Sequence, residues 1–250
     1  MRGVFDLFVR PFGYRVVRSR QKIDPDICSD DDFMRIHKVC DPFTMTSIER
    51  MYGLYKAVRY VVDKDIPGDI VECGVWMGGS AMMAAMTLEL VGDTSRELYL
   101  YDTFEGMPPP SDQDINHEGV HANAFLKPES RVDGESNVWA YASLEMVRGN
   151  LSKVGLPSDR FHLIKGGVEE TIPDQSPEAI SLLRLDTDWY ESTAHELKYM
   201  YPVLSMGGVL IIDDYGHWRG SREATDEYFS SNSSILLNRL DYSGRISIKL

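Results

Sequence analysis

Short apolar runs alternate along the chain with longer segments that repeat apolar residues at helical spacing. A run of about five residues is buried on both faces only in a parallel sheet that helices cover. The predicted strands are Asp69–Cys73, Leu98–Asp102, Arg160–Ile164, Ala179–Asp186 and Val209–Asp213. The predicted helices are Thr46–Lys64, Ala81–Val91, Val138–Val154, Glu191–Met200 and Arg219–Phe229. This alternation predicts an α/β fold, to which Ser234–Leu240 and Arg245–Leu250 add an antiparallel pair of strands.

Two stretches fall outside this alternation. Residues 1–45 show no pattern that assembles an apolar core, so we predict an N-terminal helical appendage to a domain spanning residues 46–250. Its opening is basic and amphipathic, but no cleavage-like site follows, so we expect it to pack on the domain or on a second subunit rather than to act as a signal peptide. Residues 107–137 are polar and lack periodicity, which predicts a lid over a binding site, with His117 and His121 as candidate substrate contacts.

Carboxylates follow two of the predicted strands. Asp186 and Asp188 follow one strand, and Asp213 and Asp214 follow another. Because ligands bind beyond the carboxyl ends of parallel strands, these side chains are expected to share one crevice, where their repulsion is costly. A hard divalent cation with oxygen ligands is the simplest way to hold them together. The alternative is that they are helix N-caps, which is the interpretation we favour for Asp188.

The first strand leads into a glycine-rich turn with the pattern E-x-G-x-x-x-G-G-S, which contains Glu72, Gly74, Gly78 and Ser80. This is not the dinucleotide pattern, and the strand carboxylate would repel a pyrophosphate. A ligand with an ammonium or sulfonium group suits Glu72 better. Asp102, at the tip of the second strand, stands where such folds hold ribose hydroxyls; the alternative is a simple turn-forming residue.

The composition restricts the possible partners. A formal net charge of −13 argues against nucleic acid and against electrostatic docking on an anionic membrane. Three cysteines without CxxC spacing suit a reducing compartment, so we expect a cytoplasmic protein. The chain contains no run long enough to span a bilayer, and we expect no stable membrane insertion.

At this point the chain resembles the macrocin O-methyltransferase family of Class I S-adenosylmethionine-dependent enzymes. The resemblance runs from about Thr46 to the C-terminus, and five ordered motifs carry it. They are GDIVECGVWMGGS (68–80), LYLYDTFEGMP (98–108), GGVEETIP (166–173), LLRLDTDWYEST (182–193) and GGVLIIDDYGHWRGSREA (207–224).

The resemblance implies a Rossmann-like, seven-stranded sheet with helices on both faces, S-adenosylmethionine as methyl donor, Mg²⁺, a sugar hydroxyl as acceptor, and a dimer or higher homo-oligomer. Glu72 and Gly74 would line the methionine end of the cofactor, with Gly78 and Ser80 in the same turn. Asp102 would hold the ribose. The remaining implied residues are Gly167 and Val168 near the adenine, and Asp186, Asp213 and Asp214 as Mg²⁺ ligands.

Methyl transfer to a sugar hydroxyl needs a group that takes the hydroxyl proton. Asp186 is the first choice for this catalytic role and His217 the second, although His217 is equally interpretable as an exposed loop histidine. Two other functions stay open: a catechol-type small-molecule O-methyltransferase, and a non-catalytic module that binds S-adenosylmethionine or a saccharide. The set of carboxylates argues against the module, which has no need of metal ligands.

Overall fold

The computed structural model describes residues 24–232 and 234–250, so the basic opening segment lies outside it. The strands of the described chain form one sheet in the spatial order β3-β2-β1-β4-β5-β7-β6. They are β1 Asp69–Cys73, β2 Leu98–Asp102, β3 Phe161–Lys165, β4 Ile180–Leu185, β5 Leu204–Ile212, β6 Asn238–Arg239 and β7 Arg245–Ile248. Strands β1 to β5 are parallel, whereas β7 pairs antiparallel with β5 and with β6. The predicted seven-stranded α/β sheet with its antiparallel pair is confirmed.

Helices cover both faces of the sheet. They are α1 Pro25–Cys28, α2 Asp31–Cys40, α3 Ile48–Asp63, α4 Gly79–Val91, α5 Leu144–Leu151, α6 Val168–Thr171, α7 Tyr190–Met200 and α8 Arg219–Ser231. Consecutive strand residues point to opposite faces, so Ile70 joins the core cluster that contains α3 and α4, whereas Val71 joins the cluster that contains α7 and α8. Helix α1 buries Ile27, and helix α2 buries Phe33 and Ile36, in the first of these clusters.

Several predicted helices and strands begin or end at residues other than those expected. The helix predicted at Val138–Val154 is shorter, because the side chain of Ser143 caps it by accepting a bond from the Met146 amide at 3.4 Å. Strand β5 begins at Leu204 rather than Val209, since the Gly207 amide already bonds the Lys249 carbonyl. At the start of α3, Ser47 is the N-cap, and its Oγ accepts a bond from the Arg50 amide at 3.2 Å.

Residues 107–137 form a loop with only short 3₁₀ turns in its described part. The loop is tied to the amino ends of α7 and α8, and at α8 the Arg219 amide donates to the Ile115 carbonyl at 2.9 Å. Trp189 Nε1 donates to the Pro108 carbonyl at 3.0 Å, and the Tyr190 amide donates to Asp114 Oδ1 at 2.9 Å. Trp189 and Trp218 pack edge to face beneath it, with ring centres 4.9 Å apart. The loop is thus anchored next to the carboxyl edge of the sheet.

Candidate functional site

A cavity of about 420 Å³ opens at the carboxyl ends of β1, β2, β4 and β5. The strand order reverses between β1 and β4, because β2 and β3 lie on one side of β1 and β5 lies beyond β4. Open α/β sheets bind ligands at such a switch point. The cavity, called the cleft below, therefore lies where the strand pattern predicted a site.

The glycine turn after β1 forms one wall of the cleft. Gly74 and Gly78 have φ angles of 85° and 88°, which favour glycine, and a Cβ at Gly74 would collide with the Asp186 carbonyl. Asp102 shapes this turn, because its Oδ2 accepts bonds from the amides of Val75 at 2.8 Å and Trp76 at 3.0 Å. Asp102 also lines the cleft, so its predicted contact with a ribose stays a prediction beside this structural role.

Trp76 supplies a buried donor that lacks a partner. Its backbone has a φ of 47°, which is uncommon for a residue with a side chain, and the residue lines the cleft. Its Nε1 is buried and makes no hydrogen bond to any described residue. An unpaired buried N–H is costly, so this atom fits a ligand acceptor in the cleft.

The other predicted cofactor residues divide into two groups. Ser80, Gly167 and Val168 line the cleft, whereas the described lining does not include Glu72 or Gly78. Glu72 is 3% exposed and its Oε1 lies 2.5 Å from Arg184 Nη1. Burial raises the pKa of the Glu72 carboxyl, and the attraction of Arg184 opposes that rise. Glu72 is therefore positioned to act on the cleft through Arg184.

Asp213 is held by two arginines rather than open to a ligand. Arg184 Nη2 donates to its Oδ1 at 2.7 Å, and Arg50 Nη1 donates to its Oδ2. Burial opposes ionisation of Asp213, but the charges of Arg184 and Arg50 outweigh it and lower its pKa. Arg184 Nη1 also lies 2.8 Å from Asp186 Oδ2.

Three other carboxylates converge beside this network. One oxygen each from Asp186, Asp188 and Asp214 lies within 4.8 Å of the other two. The interpretation of Asp188 as a helix cap is wrong, since Trp189 is the N-cap residue of α7 and Asp188 has a φ of 67°. Burial, with repulsion from Asp186 and Asp213, raises the pKa of Asp188 to about 7 despite its hydrogen bond with Asp214. A group of carboxylate oxygens this close fits a hard divalent cation.

His217 lines the cleft next to the acidic group and is half-buried, which disfavours the exposed-loop alternative. Its Nδ1 lies 3.0 Å from Tyr242 Oη, and its ring centre is 4.9 Å from that of His117. Burial lowers its pKa, with repulsion from His117 and Arg50 adding to the effect, so the ring is neutral at pH 7. His121 instead bonds the Ser111 carbonyl at 2.9 Å within the lid.

Sequence reasoning missed Arg50, Trp76 and Arg184 as contributors to the site. Arg184 left a signal, because a charged residue within the apolar run of β4 requires a buried partner. Arg50 and Trp76 left none: the first lies in an amphipathic helix and the second in a turn, and only the folded backbone brings them to the cleft.

The sheet order, the switch-point cleft and the comparisons with known proteins define a Class I S-adenosylmethionine-dependent O-methyltransferase. The chain belongs to the macrocin-O-methyltransferase (TylF) family, whose model matches residues 40–244. Within the described residues, no helix combines the length and apolar character needed to cross a bilayer.

Curated relatives are about a third identical to this chain over the aligned residues. It is 36% identical over 185 residues to 8-demethyl-8-(2,3-dimethoxy-alpha-L-rhamnosyl)-tetracenomycin-C 4'-O-methyltransferase of Streptomyces olivaceus, covering 74% of this chain and 67% of that protein. It is 32% identical to mycinamicin III 3''-O-methyltransferase of Micromonospora griseorubida, covering 74% and 69%. The solved structure of the O-methyltransferase NovP superposes with a TM-score of 0.70 at 28% identity, covering 83% of this chain and 82% of that one.

Proposed function

We propose that the protein transfers the methyl group of S-adenosylmethionine to a hydroxyl of a sugar, carried by a glycosylated natural product or a bacterial saccharide. The relative at 36% identity is named as a 4'-O-methyltransferase of a rhamnosyl tetracenomycin, and the relative at 32% as a 3''-O-methyltransferase of mycinamicin III, which supports this acceptor class. The observation that carries the proposal is the acidic group of Asp186, Asp188 and Asp214 at the wall of the cofactor cleft, because sugar hydroxyls are weak nucleophiles that need such a site.

The cofactor is proposed to lie along the carboxyl ends of β1 and β2. Gly74 and the Trp76 Nε1 donor would contact its methionine end, Asp102 its ribose, and Gly167 with Val168 its adenine. Glu72 is buried behind the turn, so its proposed contribution is to hold Arg184. The sulfonium charge suits a cleft whose described lining contains six carboxylates but only Arg50 as a permanent cation.

Mg²⁺ is proposed as a second cofactor. Asp186 and Asp214 would hold it, since Mg²⁺ is usually bound through one or two carboxylates and keeps several waters. Asp213, the third ligand implied by the family resemblance, would join only if Arg50 and Arg184 released it. The ion would neutralise the mutual repulsion of the carboxylates and lower the pKa of a bound hydroxyl.

Asp188 is our proposed proton acceptor. Burial raises the pKa of Asp186 well above its ordinary value, and the charge of Arg184 opposes that rise. Arg184 Nη1 also occupies Asp186 Oδ2 at 2.8 Å, so this oxygen is engaged in an ion pair rather than open to a proton. Asp188 makes no ion pair with a described residue, and its pKa near 7 suits a general base. His217, neutral and lining the cleft, is the second candidate. The base would remove the hydroxyl proton as the oxygen attacks the methyl carbon in line with the departing sulfur.

The proposal is tested with a panel of glycosides, nucleotide sugars and a catechol, incubated with S-adenosylmethionine in Mg²⁺ or in chelator. We expect methylated sugar products that require Mg²⁺ and a loss of at least about a hundredfold in Asp214→Asn. Asp159→Asn is the matched control, because Asp159 is exposed at the opposite, amino edge of the sheet. Methylation of the catechol alone, or full activity in chelator, would contradict the proposal.

A further inference from the structure

Two arginines lie over the ring of Tyr215, at the carboxyl edge of the sheet beside the cleft, and a third arginine stands opposite one of them. The guanidinium carbons of Arg222 and Arg245 lie 5.5 Å and 4.9 Å from the centre of the Tyr215 ring. Arg239 and Arg245 stand directly opposite each other in the β6–β7 pair, where like charges are destabilising. We call Arg222, Arg239 and Arg245 the Tyr215 arginine cluster. A chain with a net charge of −13 thus concentrates positive charge at one point.

The acidic residues near the cluster already have other partners. Glu223 Oε1 lies 2.6 Å from Arg219 Nε, Asp226 accepts the Tyr215 hydroxyl at 2.8 Å, and Asp241 lies 3.0 Å from Arg50 Nε. In the described parts of the chain, no carboxylate comes within 4.0 Å of a cluster guanidinium nitrogen. The protein therefore leaves the charge of this cluster unbalanced.

Backbone carbonyls fix the guanidinium groups and leave donors free. Arg222 Nε donates to the Tyr215 carbonyl at 3.1 Å, and Arg239 Nε donates to the Asp241 carbonyl at 2.6 Å. Arg245 Nη1 donates to the Gly244 carbonyl at 2.9 Å. The Nη groups of Arg222 and Arg239 bond no described residue, and both side chains are exposed. A planar guanidinium group with free Nη donors can form two parallel hydrogen bonds to the oxygens of a phosphate or sulfate.

We propose that the Tyr215 arginine cluster is a binding site for a phosphate-like oxyanion. The site goes beyond methyl transfer but adjoins it, because Tyr215 directly follows Asp214 and Arg245 Nη1 also donates to the carbonyl of Ser243, which lines the cleft. The oxyanion is either a substituent on the part of the acceptor that leaves the cleft or a separate small molecule. The acidic lining of the cleft itself repels such a group, so the cluster is where it is accommodated.

Binding is tested with inorganic phosphate by calorimetry, with sodium chloride at equal ionic strength as the reference. We expect the wild-type protein to bind phosphate and the double variant Arg222→Gln/Arg239→Gln to bind at least about tenfold more weakly, since two charge-assisted forks are lost. Arg219→Gln is the matched control: Arg219 is exposed on the same helix but paired with Glu223, so affinity should not change. Absence of phosphate binding in the wild type, or equal affinity in the double variant, overturns the proposal.

Two further measurements keep the result clear. The double variant Arg222→Lys/Arg239→Lys retains both charges but loses the planar guanidinium groups, so we expect it to bind phosphate with intermediate affinity. An unchanged melting temperature of the Gln double variant shows that its weaker binding does not come from unfolding. With a phosphorylated glycoside and its neutral parent, an acceptor-borne oxyanion predicts a higher KM in the Gln variant for the phosphorylated compound alone. If the oxyanion is a separate ligand, we expect the wild type and the Gln variant to have equal KM values for the phosphorylated compound, and we expect the acceptor not to displace bound phosphate. The calorimetry measures binding without turnover, so it tests the phosphate site even if the proposed methyl transfer is not observed.

Discussion

At the scale of single residues, the site depends on a few side chains held in uncommon backbone conformations. Asp188 has a φ of 67° and Trp76 a φ of 47°, and both line the cleft. Such conformations cost of order 1–3 kcal/mol each and persist only where surrounding contacts impose them. Each residue presents a polar group that the protein does not fully satisfy, so each supports a prediction about one atom.

Asp188→Asn separates the charge of Asp188 from its backbone conformation, because Asn tolerates a positive φ. We expect kcat to fall by at least about a hundredfold, the typical contribution of a general base. Mg²⁺ affinity, measured by calorimetry, should change by less than about threefold. A loss of Mg²⁺ binding in Asp188→Asn would instead show that Asp188 is a metal ligand. A larger loss of kcat in His217→Gln than in Asp188→Asn would show that His217 is the base.

Trp76→Phe removes the unpaired Nε1 donor and keeps an aromatic ring. A lost hydrogen bond of about 1 kcal/mol corresponds to S-adenosylmethionine binding that is weaker by about five- to tenfold. Trp139→Phe is the control, because the Trp139 Nε1 already donates to the Lys127 carbonyl at 2.7 Å. Equal affinities in titration calorimetry would show that the cofactor makes no contact with this donor.

At the scale of elements, helix α7 braces the loop that carries the carboxylates. Thr187, between Asp186 and Asp188, donates its hydroxyl to Glu196 Oε1 at 2.9 Å. Glu196 is fully buried, and its Oε2 has no partner among the described residues. Burial raises its pKa well above the ordinary 4.5, with the nearby carboxylates adding to the effect. The loop is thus tied to a carboxyl group whose burial favours the neutral form.

The raised pKa of Glu196 makes the free energy of unfolding depend on pH in a known direction. A folded-state pKa raised above 4.5 stabilises the fold fully below pH 4.5, and the contribution is lost as pH rises through the raised value. Glu196→Gln is neutral at every pH and keeps the acceptor for Thr187. We expect its unfolding free energy, relative to wild type, to increase steadily from about pH 5 upwards in denaturant titrations. A pH-independent difference would mean that Glu196 is ionised in the fold.

At the scale of the whole molecule, negative charge collects in the cleft and positive charge just outside it. The cleft lining holds Asp186, Asp188 and Asp214 close together, and their repulsion opposes folding. The proposed Mg²⁺ would bind only where the fold assembles these side chains, so we expect it to raise the melting temperature and chelator to reverse the gain. Asp214→Asn should reduce this shift in a thermal scan. An equal shift in Asp214→Asn would place the ion elsewhere.

The sequence allowed most of the fold to be predicted, and less of the site. Strands β1 and β2 have their predicted bounds, because β1 is a short run between two glycine-containing turns and β2 is a short run that ends in Asp102. Boundaries failed at Val138–Val154, where apolar spacing continued past the Ser143 cap. Among the carboxylates, the pattern indicated Asp186, Asp188, Asp213 and Asp214 but did not reveal which of them arginines would occupy. The predicted homo-oligomer and cytoplasmic location stay predictions.

The sequence by itself determined that this chain forms a parallel α/β sheet with acidic strand ends and a glycine turn, since periodicity and local turn chemistry act between near neighbours. Only the tertiary structure decided that Arg50 and Arg184 occupy Asp213, that Asp188 faces the cleft rather than capping a helix, and that Arg222 and Arg245 meet over Tyr215. These outcomes depend on groups far apart in the chain. Their charges interact strongly only once folding brings them within a few ångströms and removes the water between them.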